Sequence, residues 1–498
     1  MAASMLFNSW QFLIFFPTVT VLYFLVPYRV RWLLLLVASC VFYTAFIPVY
    51  LLVLAATIII DYIAALQIEK CEGRKRTKWL WGSIIFTCLI LFFFKYYDFF
   101  AWNVNAASAL MHSDVSMAAL HLILPIGLSF HTFQSLSYVI EVYRGNQKAE
   151  HHFGIYSLYV MFYPQLVAGP IERPQNLLHQ FHDKHNFNHK FNYDEATSGL
   201  RLMAWGLFKK AVIADNLAKF VTPVYDNPGN YDGGVLLVAT LFFTFQVFCD
   251  FSGYSDMARG AARVMGFKLM LNFDRPYAAT SLSDYWRRWH ISLSTWLRDY
   301  VYEPTAMGLR DRGMYGIVFA LMLTFLISGF WHGANWTFVV WGLLHGVGLS
   351  FEAVFSKQRK KLAKAMPTWL FNSIMLVVTF SFVNFTYIFF RAKTIEDATL
   401  ILQHIEHWIF PINRLFDTNI PSLFHSVTSV VTPVNFRLNC FLILFLVVSH
   451  SLQSRFNIGE LLERSVWWIR WPAYQVAVLS IAFGGVWLGA RSFIYFQF

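Results

Sequence analysis

Charge is what this chain has least of. Asp, Glu, Lys and Arg make up 13% of its 498 residues, about half the roughly 25% usual in a soluble domain. With 57% hydrophobic residues, the balance is that of a protein dissolved in lipid, and a soluble globule of this composition is excluded. Cysteine is scarce too. Cys40, Cys71, Cys88, Cys249 and Cys440 stand apart without metal-ligand spacing, so neither a disulfide framework nor a zinc knuckle is expected. No Gly-x-Ser-x-Gly, Walker-type or Gly-x-Gly-x-x-Gly pattern occurs, which removes the usual support for hydrolase, ATPase and dinucleotide-binding readings. Repeats, low-complexity tracts and interdomain linkers are also missing, and a single membrane domain over 1–498 is the expectation. The first apolar segment has no charged leader before it and no small-residue cleavage site after it, so it reads as a retained span.

What the chain has instead is apolar runs and aromatic rings. Phe, Trp and Tyr reach 19%, which suits lipid-facing helices and interfacial belts. A span needs roughly 20 apolar residues to cross about 30 Å of hydrocarbon. Runs at 10–27, 32–46, 49–66, 79–94, 122–140, 153–167, 235–249, 370–390, 439–451 and 472–490 qualify as candidates. They are continuously apolar and lack the alternation of barrel strands, so the expected fold is an all-α polytopic bundle of about ten to twelve transmembrane helices with re-entrant or interfacial pieces.

Basic residues fall between these runs. Lys70, Arg74, Lys75, Arg76 and Lys78 cluster on one side of a span, while 102–119 on its other side has no Lys or Arg. The first is therefore predicted to be cytoplasmic and the second external, which puts the N-terminus outside and Arg29, Arg31, Arg144 and Lys148 inside. Lys357, Arg359, Lys360, Lys361 and Lys364 form a second basic stretch on the cytoplasmic side. The formal charge of +11 is thus a topology signal, and no nucleic-acid partner is expected. Between about 172 and 312 polar helical stretches interrupt the pattern. Such backbone is tolerated at membrane depth only inside protein or along a cavity, so a cavity-lining core is predicted there.

The apolar stretch 316–350 is too long for one span and short for two. At its centre stand Gly329, Trp331, His332, Gly333 and Asn335. The 13 residues from Gly316 to Ser328 make only about 20 Å of helix, which places His332 at depth. The glycines leave room for a bend or for a ligand to approach the backbone. An intramembrane histidine is a functional candidate, since a neutral imidazole accepts a proton near pH 7 and activates a hydroxyl toward a thioester. From position alone it is equally a packing histidine satisfied by Asn335 or a carbonyl.

In 281–300, Ser281 and Asp284 resemble a capping box, so a helix is predicted to begin near Leu282. One face would carry Trp286, His290, Leu293, Leu297 and Tyr300. Arg287, Arg288 and Arg298 make it too polar to face lipid. Either His290 completes a site with His332 while Arg287 and Arg288 attract donor phosphates, or this is an interfacial helix whose arginines meet lipid phosphates. Asp250 and Ser252 end an apolar run and either bind substrate or cap a helix terminus. Lys209 and Lys210 read as snorkelling anchors at an interface. His179, His182, His185 and His189 have helical spacing, but their polar surroundings suggest an exposed segment, and no metal is expected.

These segments together resemble the membrane-bound O-acyltransferases, and specifically their bacterial alginate O-acetyltransferase-like branch. The carriers are Leu124-Pro-Ile-Gly-Leu-Ser-Phe130, the stretch from Phe162 to Arg173, Asp250-Phe-Ser-Gly-Tyr-Ser-Asp256, the stretch from Trp286 to Asp299, and Gly329-Phe-Trp-His-Gly-Ala334. The likeness extends to about Phe390, with the core at approximately 120–390 between N-terminal helices (1–119) and C-terminal helices (391–498). It implies a ring of helices around a central tunnel, His332 as catalytic base, and His290 as second active-site residue. Arg287, Arg288, Trp331, Asn335, Asp250 and Ser252 would then contact substrate. It also implies acetyl transfer from cytoplasmic acetyl-CoA, with no bound cofactor, to an exported polysaccharide. A periplasmic SGNH-type acetyltransferase would complete transfer at a bacterial inner membrane. Alternatives are D-alanyl transfer to a teichoic acid-like polymer, lipid acylation or, from another class, a proton-coupled transporter. One departure stands out: after Tyr302 the family commonly reads Ile-Pro-Leu-Gly-Gly-Asn-Arg, where this chain has Glu303-Pro-Thr-Ala-Met-Gly-Leu-Arg310, so contacts beside the tunnel are expected to differ.

Overall fold

A computed structural model describes residues 5–182, 191–409, 420–456, 458–487 and 493–494. Among them the regular structure is helical, without a β-strand. Among the described residues seven helices are long and apolar enough to cross a membrane: Tyr50–Lys70, Gly73–Leu110, Gly233–Val264, Met314–His332, Trp336–Val354, Thr368–Arg391 and Pro433–Gln453. Their outward faces carry large apolar side chains such as Phe441, Leu444 and Val377, each about 60% exposed, as lipid contact requires. The chain folds as two compact units, Met1–Met203 with Tyr254–Leu271, and Ala204–Gly253 with Asn272–Phe498.

In the first unit, Tyr50–Lys70 and Gly73–Leu91 pack as neighbours around a buried carboxylate. Asp61 accepts hydrogen bonds from Ser83 at 2.5 Å and Thr87 at 3.2 Å, so burial costs it less than it would an unpartnered acid. Two predicted spans are corrected here. At 122–140 the helix is Leu128–Arg144, bounded by Gly127 and Gly145 in the left-handed region at φ 78° and 79°, a conformation glycine adopts without penalty. It buries Ser129, His131, Thr132, Gln134, Ser135 and Ser137, so it is surrounded by protein, and Leu122 and Ile123, which supplied the hydropathy, precede the helix. At 153–167 the helix Phe153–Met161 lasts nine residues. The chain beyond it is irregular yet buried, and side chains serve its backbone. Gln134 and Gln165 both donate to the Tyr159 carbonyl, at 2.6 and 2.9 Å, and Glu172 accepts the Met270 N–H at 2.6 Å.

In the second unit, the stretch 316–350 resolves into Met314–His332 and Trp336–Val354, broken at Gly333. The two helices cross closely because Gly329 and Gly342 face one another; a Cβ on either would collide with a backbone carbonyl, of Phe338 and Phe325 respectively. Space beside Gly333 is filled by the Phe338 ring. These glycines therefore serve helix packing, and the expected room for a ligand is taken by protein. The predicted run 472–490 corresponds to the helix Trp467–Gly484, with 488–490 outside the described residues. The core holds Phe243, Trp289, Trp341, Tyr387 and Phe390.

Candidate active site

The helix expected over 281–300 is broken at His290. Leu282–Arg288 begins as predicted, with Ser281 Oγ accepting the Asp284 N–H at 3.0 Å, and Glu352 adds acceptors for the N–H groups of Leu282 and Ser283. The chain then turns at His290, which lies in the left-handed region at φ 44°, ψ 54°, and a second helix runs Ile291–Leu297. That conformation costs a non-glycine residue about 1–3 kcal/mol, so neighbours must impose it. The segment 272–274 does so. Asp274 N–H donates to the Arg288 carbonyl and Ile291 N–H to the Asn272 carbonyl, both at 2.9 Å, while Asn272 Oδ1 accepts from Ser292 N–H and Ser292 Oγ. His290 is thus held at a bend, fully buried, its ring 4.6 Å from Phe251 and nearly perpendicular to it.

His332 is the last residue of Met314–His332 and is 3% exposed. Its imidazole sits in an aromatic cage, with ring centroids 5.0 Å from Trp331, 4.9 Å from Trp341 and 5.2 Å from Phe390. Trp331 also lies 5.9 Å from His290. One indole therefore touches both histidines, which sequence placed 42 positions apart (332 minus 290). Such a cage keeps water off and leaves the imidazoles as the local proton-exchanging groups.

The other expected residues divide. Trp331 belongs to the cage. Arg287 is exposed, and Arg288 pairs with Asp284 at 3.0 Å within its own helix. Asn335 caps Trp336–Val354, accepting from Thr337 N–H at 3.0 Å and donating to the Lys393 carbonyl at 2.8 Å. Asp250 and Ser252 stand inside the continuous helix Gly233–Val264, which corrects the reading of a helix terminus. Lys209 and Lys210 are likewise buried in a π-helical stretch, Phe208–Ala214, and do not snorkel. Lys210 Nζ sits 2.6 Å from Asp250 Oδ1 and 2.9 Å from Asp215 Oδ1, and Lys209 donates to Ser252 Oγ at 2.9 Å. Of the histidine series, His182 bonds Glu150, His179 is exposed, and 185 and 189 lie outside the described residues. Among the described residues no group of three His, Cys, Asp or Glu is arranged to hold a metal. In the loop that departs from the family pattern, Glu303 lies 3.5 Å from Arg298.

Sequence reasoning missed His345. It lies one turn beyond Trp341 on the same helix, with ring centroids 4.9 Å apart. The indole of Trp286, always a donor, gives its N–H to His345 Nδ1 at 3.3 Å. The proton of the neutral ring is then on Nε2, which donates to Thr386 Oγ1 at 3.1 Å, and Thr386 donates to the Val383 carbonyl at 2.8 Å. This chain ties the helix before His290 to the helix bearing Phe390. The signal was available: a histidine within an apolar run. A cavity of about 540 Å³ opens nearby, lined in part by Ser283, Leu321, Leu349, Glu352, Arg359 and Lys360.

Membrane-length helices describe a polytopic membrane protein, and two buried histidines bridged by one tryptophan are its candidate site. Known proteins narrow the class. Residues 150–391 match the family described as MBOAT, membrane-bound O-acyltransferase. The chain is 34% identical to the peptidoglycan O-acetyltransferase of Helicobacter pylori, across 94% of this chain and 91% of that protein. It is 37% identical to the probable alginate O-acetylase AlgI of Pseudomonas aeruginosa, across 79% of this chain and 73% of that protein. A teichoic acid D-alanyltransferase of Bacillus subtilis is 27% identical over 63% of this chain and 77% of its own length. The chain belongs to the membrane-bound O-acyltransferase family and is a multi-pass membrane acyltransferase.

Proposed function

We propose that the chain moves acetyl groups from cytoplasmic acetyl-CoA to hydroxyls of an exported polysaccharide, with His332 as base. The observation that carries this reading is Trp331 in contact with both His290 and His332. His332 takes the proton of the acceptor hydroxyl as its oxygen attacks the thioester carbonyl. The carbon–sulfur bond breaks, and the departing thiolate takes the proton back, leaving an acetate ester and free thiol. His290 positions the hydroxyl or polarises the carbonyl. The 540 Å³ cavity supports donor entry: Leu321 lies on the helix that ends in His332, 11 residues and about 16 Å before it, and Arg359 and Lys360 suit a phosphorylated donor. The immediate acceptor is a glycan or a partner protein, such as an SGNH-type acetyltransferase outside the membrane. A bacterial inner membrane and an external N-terminus belong to the same reading, and the basic stretches between the apolar runs support that orientation.

Replacement of His332 by Ala, with membrane insertion verified, tests the reading. Ester-linked acetate on exported glycans should disappear, and unchanged acetylation refutes the role of His332. Membranes supplied with labelled acetyl-CoA separate acetyl transfer from D-alanyl transfer and from transport.

A further inference from the structure

Asp250, one residue before the Phe251 ring that meets His290, belongs to a cluster of buried charges. Lys209, Lys210, Asp215 and Asp250 are all less than 7% exposed and balance as two cations and two anions. Gly253 allows this close approach, since a Cβ there would stand 2.7 Å from the Gly206 carbonyl and 3.1 Å from the Lys210 nitrogen. Asp250 gives one carboxylate oxygen to Lys210; its other oxygen, Oδ2, accepts the backbone N–H of Ile494 at 2.7 Å. Phe493 then packs its ring 5.5 Å from Phe251, and Phe251 is the ring against His290. Both Phe493 and Ile494 are buried. Earlier contacts lead the chain the same way: Asn216 donates to the Gly484 carbonyl at 2.9 Å and Val486 N–H to the Ala211 carbonyl at 3.1 Å.

We propose that Asp250 is a positioning residue that seats residues 493–494 against the aromatic stack on His290. The inference rests on the reading of His290 and His332 as the reacting site. A backbone N–H on a carboxylate is a charge-assisted bond. Here the carboxylate is itself fixed by Lys210, so the segment inherits a rigid anchor. The bond uses the amide and not the side chain, so Ile494→Pro removes the donor while leaving all four charges intact.

The test has two arms. In the first, Ile494→Cys is placed in a chain whose native cysteines are alanine, and maleimide labelling is timed in membranes. Labelling should be at least about tenfold faster when Asp250→Asn is added, since a seated segment is shielded. In the second, acyl transfer is measured for Asp250→Asn, Ile494→Pro and the double variant, with His332→Ala alongside. Misplacement of a wall of the site should cost each single variant roughly tenfold to a hundredfold, with the double no worse than the poorer single. Full transfer by Ile494→Pro while His332→Ala is inactive overturns the anchor and leaves the site reading standing. Unchanged labelling on adding Asp250→Asn overturns it as well. Transfer retained by His332→Ala overturns the site reading itself, and the labelling arm still reports whether Asp250 holds the segment.

Discussion

Lys210→Met is the substitution whose consequence the structure states most fully. Lys210 is 6% exposed and sits between two carboxylates, at 2.6 Å from Asp250 and 2.9 Å from Asp215. Methionine fills the space of the stem, so the loss is of charge and not of packing. Removing one partner of a buried ion pair costs about 3–5 kcal/mol, because the remaining charges are left in a medium that cannot solvate them. At about 1.4 kcal/mol per decade, the folded-to-unfolded ratio falls roughly 10² to 10⁴-fold. An exposed pair provides the control: Arg464 and Glu460 are joined on the surface, where such bonds contribute about 0–1 kcal/mol, so Arg464→Met should be nearly silent. Unfolding in detergent can be followed with a thiol-reactive dye at Cys249, which is fully buried beside Asp250, once the other four cysteines are replaced. Adding Asp215→Asn to Lys210→Met leaves Lys209 and Asp250 as a balanced pair and should recover part of the loss. A Lys210→Met protein within 1 kcal/mol of the parent, on the scale of a surface pair, would show that the four charges are solvated and refute the buried network.

Two further outcomes follow from local geometry. At His290, in the left-handed region, Asn tolerates the backbone and Val does not; His290→Asn should fold like the parent and lose acyl transfer, whereas His290→Val should also lose thermal stability. A His290→Asn protein with full transfer refutes the role of the imidazole. At the loop pair, the hydrogen bond that His182 donates to the Glu150 carboxylate raises the pKa of His182. Burial opposes ionisation of Glu150, but its bonds to His182 and to the His152 N–H still hold that carboxyl below its ordinary value. The His182 contribution is complete below about pH 6.5 and fades as pH rises through the raised value; that of Glu150 is complete above about pH 4.5 and fades as pH falls through the lowered value. The stability difference between parent and His182→Ala should therefore peak between about pH 4.5 and 6.5, and a flat difference from pH 4 to 8 contradicts the pairing.

Why some of this was legible in sequence and some was not comes down to the distance over which each feature is decided. The start of Leu282–Arg288 depends on Ser281 and Asp284, three positions apart, and the chain shows it directly. A break in 316–350 was implied by length, since no span needs 35 apolar residues, but the reading of the stretch as short for two spans is corrected: with a few flanking residues it forms two helices of 19 residues, each long enough to cross. The bend at His290 has no Gly or Pro to announce it; it is imposed by Asn272, 18 residues upstream, through bonds that helical periodicity cannot register. Hydropathy fails for Leu128–Arg144 for a related reason. It measures what a segment would gain in lipid, but this helix is covered by protein: Gln134 donates to the Tyr159 carbonyl, Ser137 to the Gln134 carbonyl, and Ser135 lies 3.5 Å from the Tyr156 hydroxyl. The lysines at 209 and 210 show the same limit most sharply. Read locally they belong at an interface. Read with Asp250, 40 positions beyond Lys210, they are interior charges, and the partner that makes burial tolerable also carries the amide of Ile494, 244 positions further along. Long-range pairing thus decides both where these charges lie and what they hold.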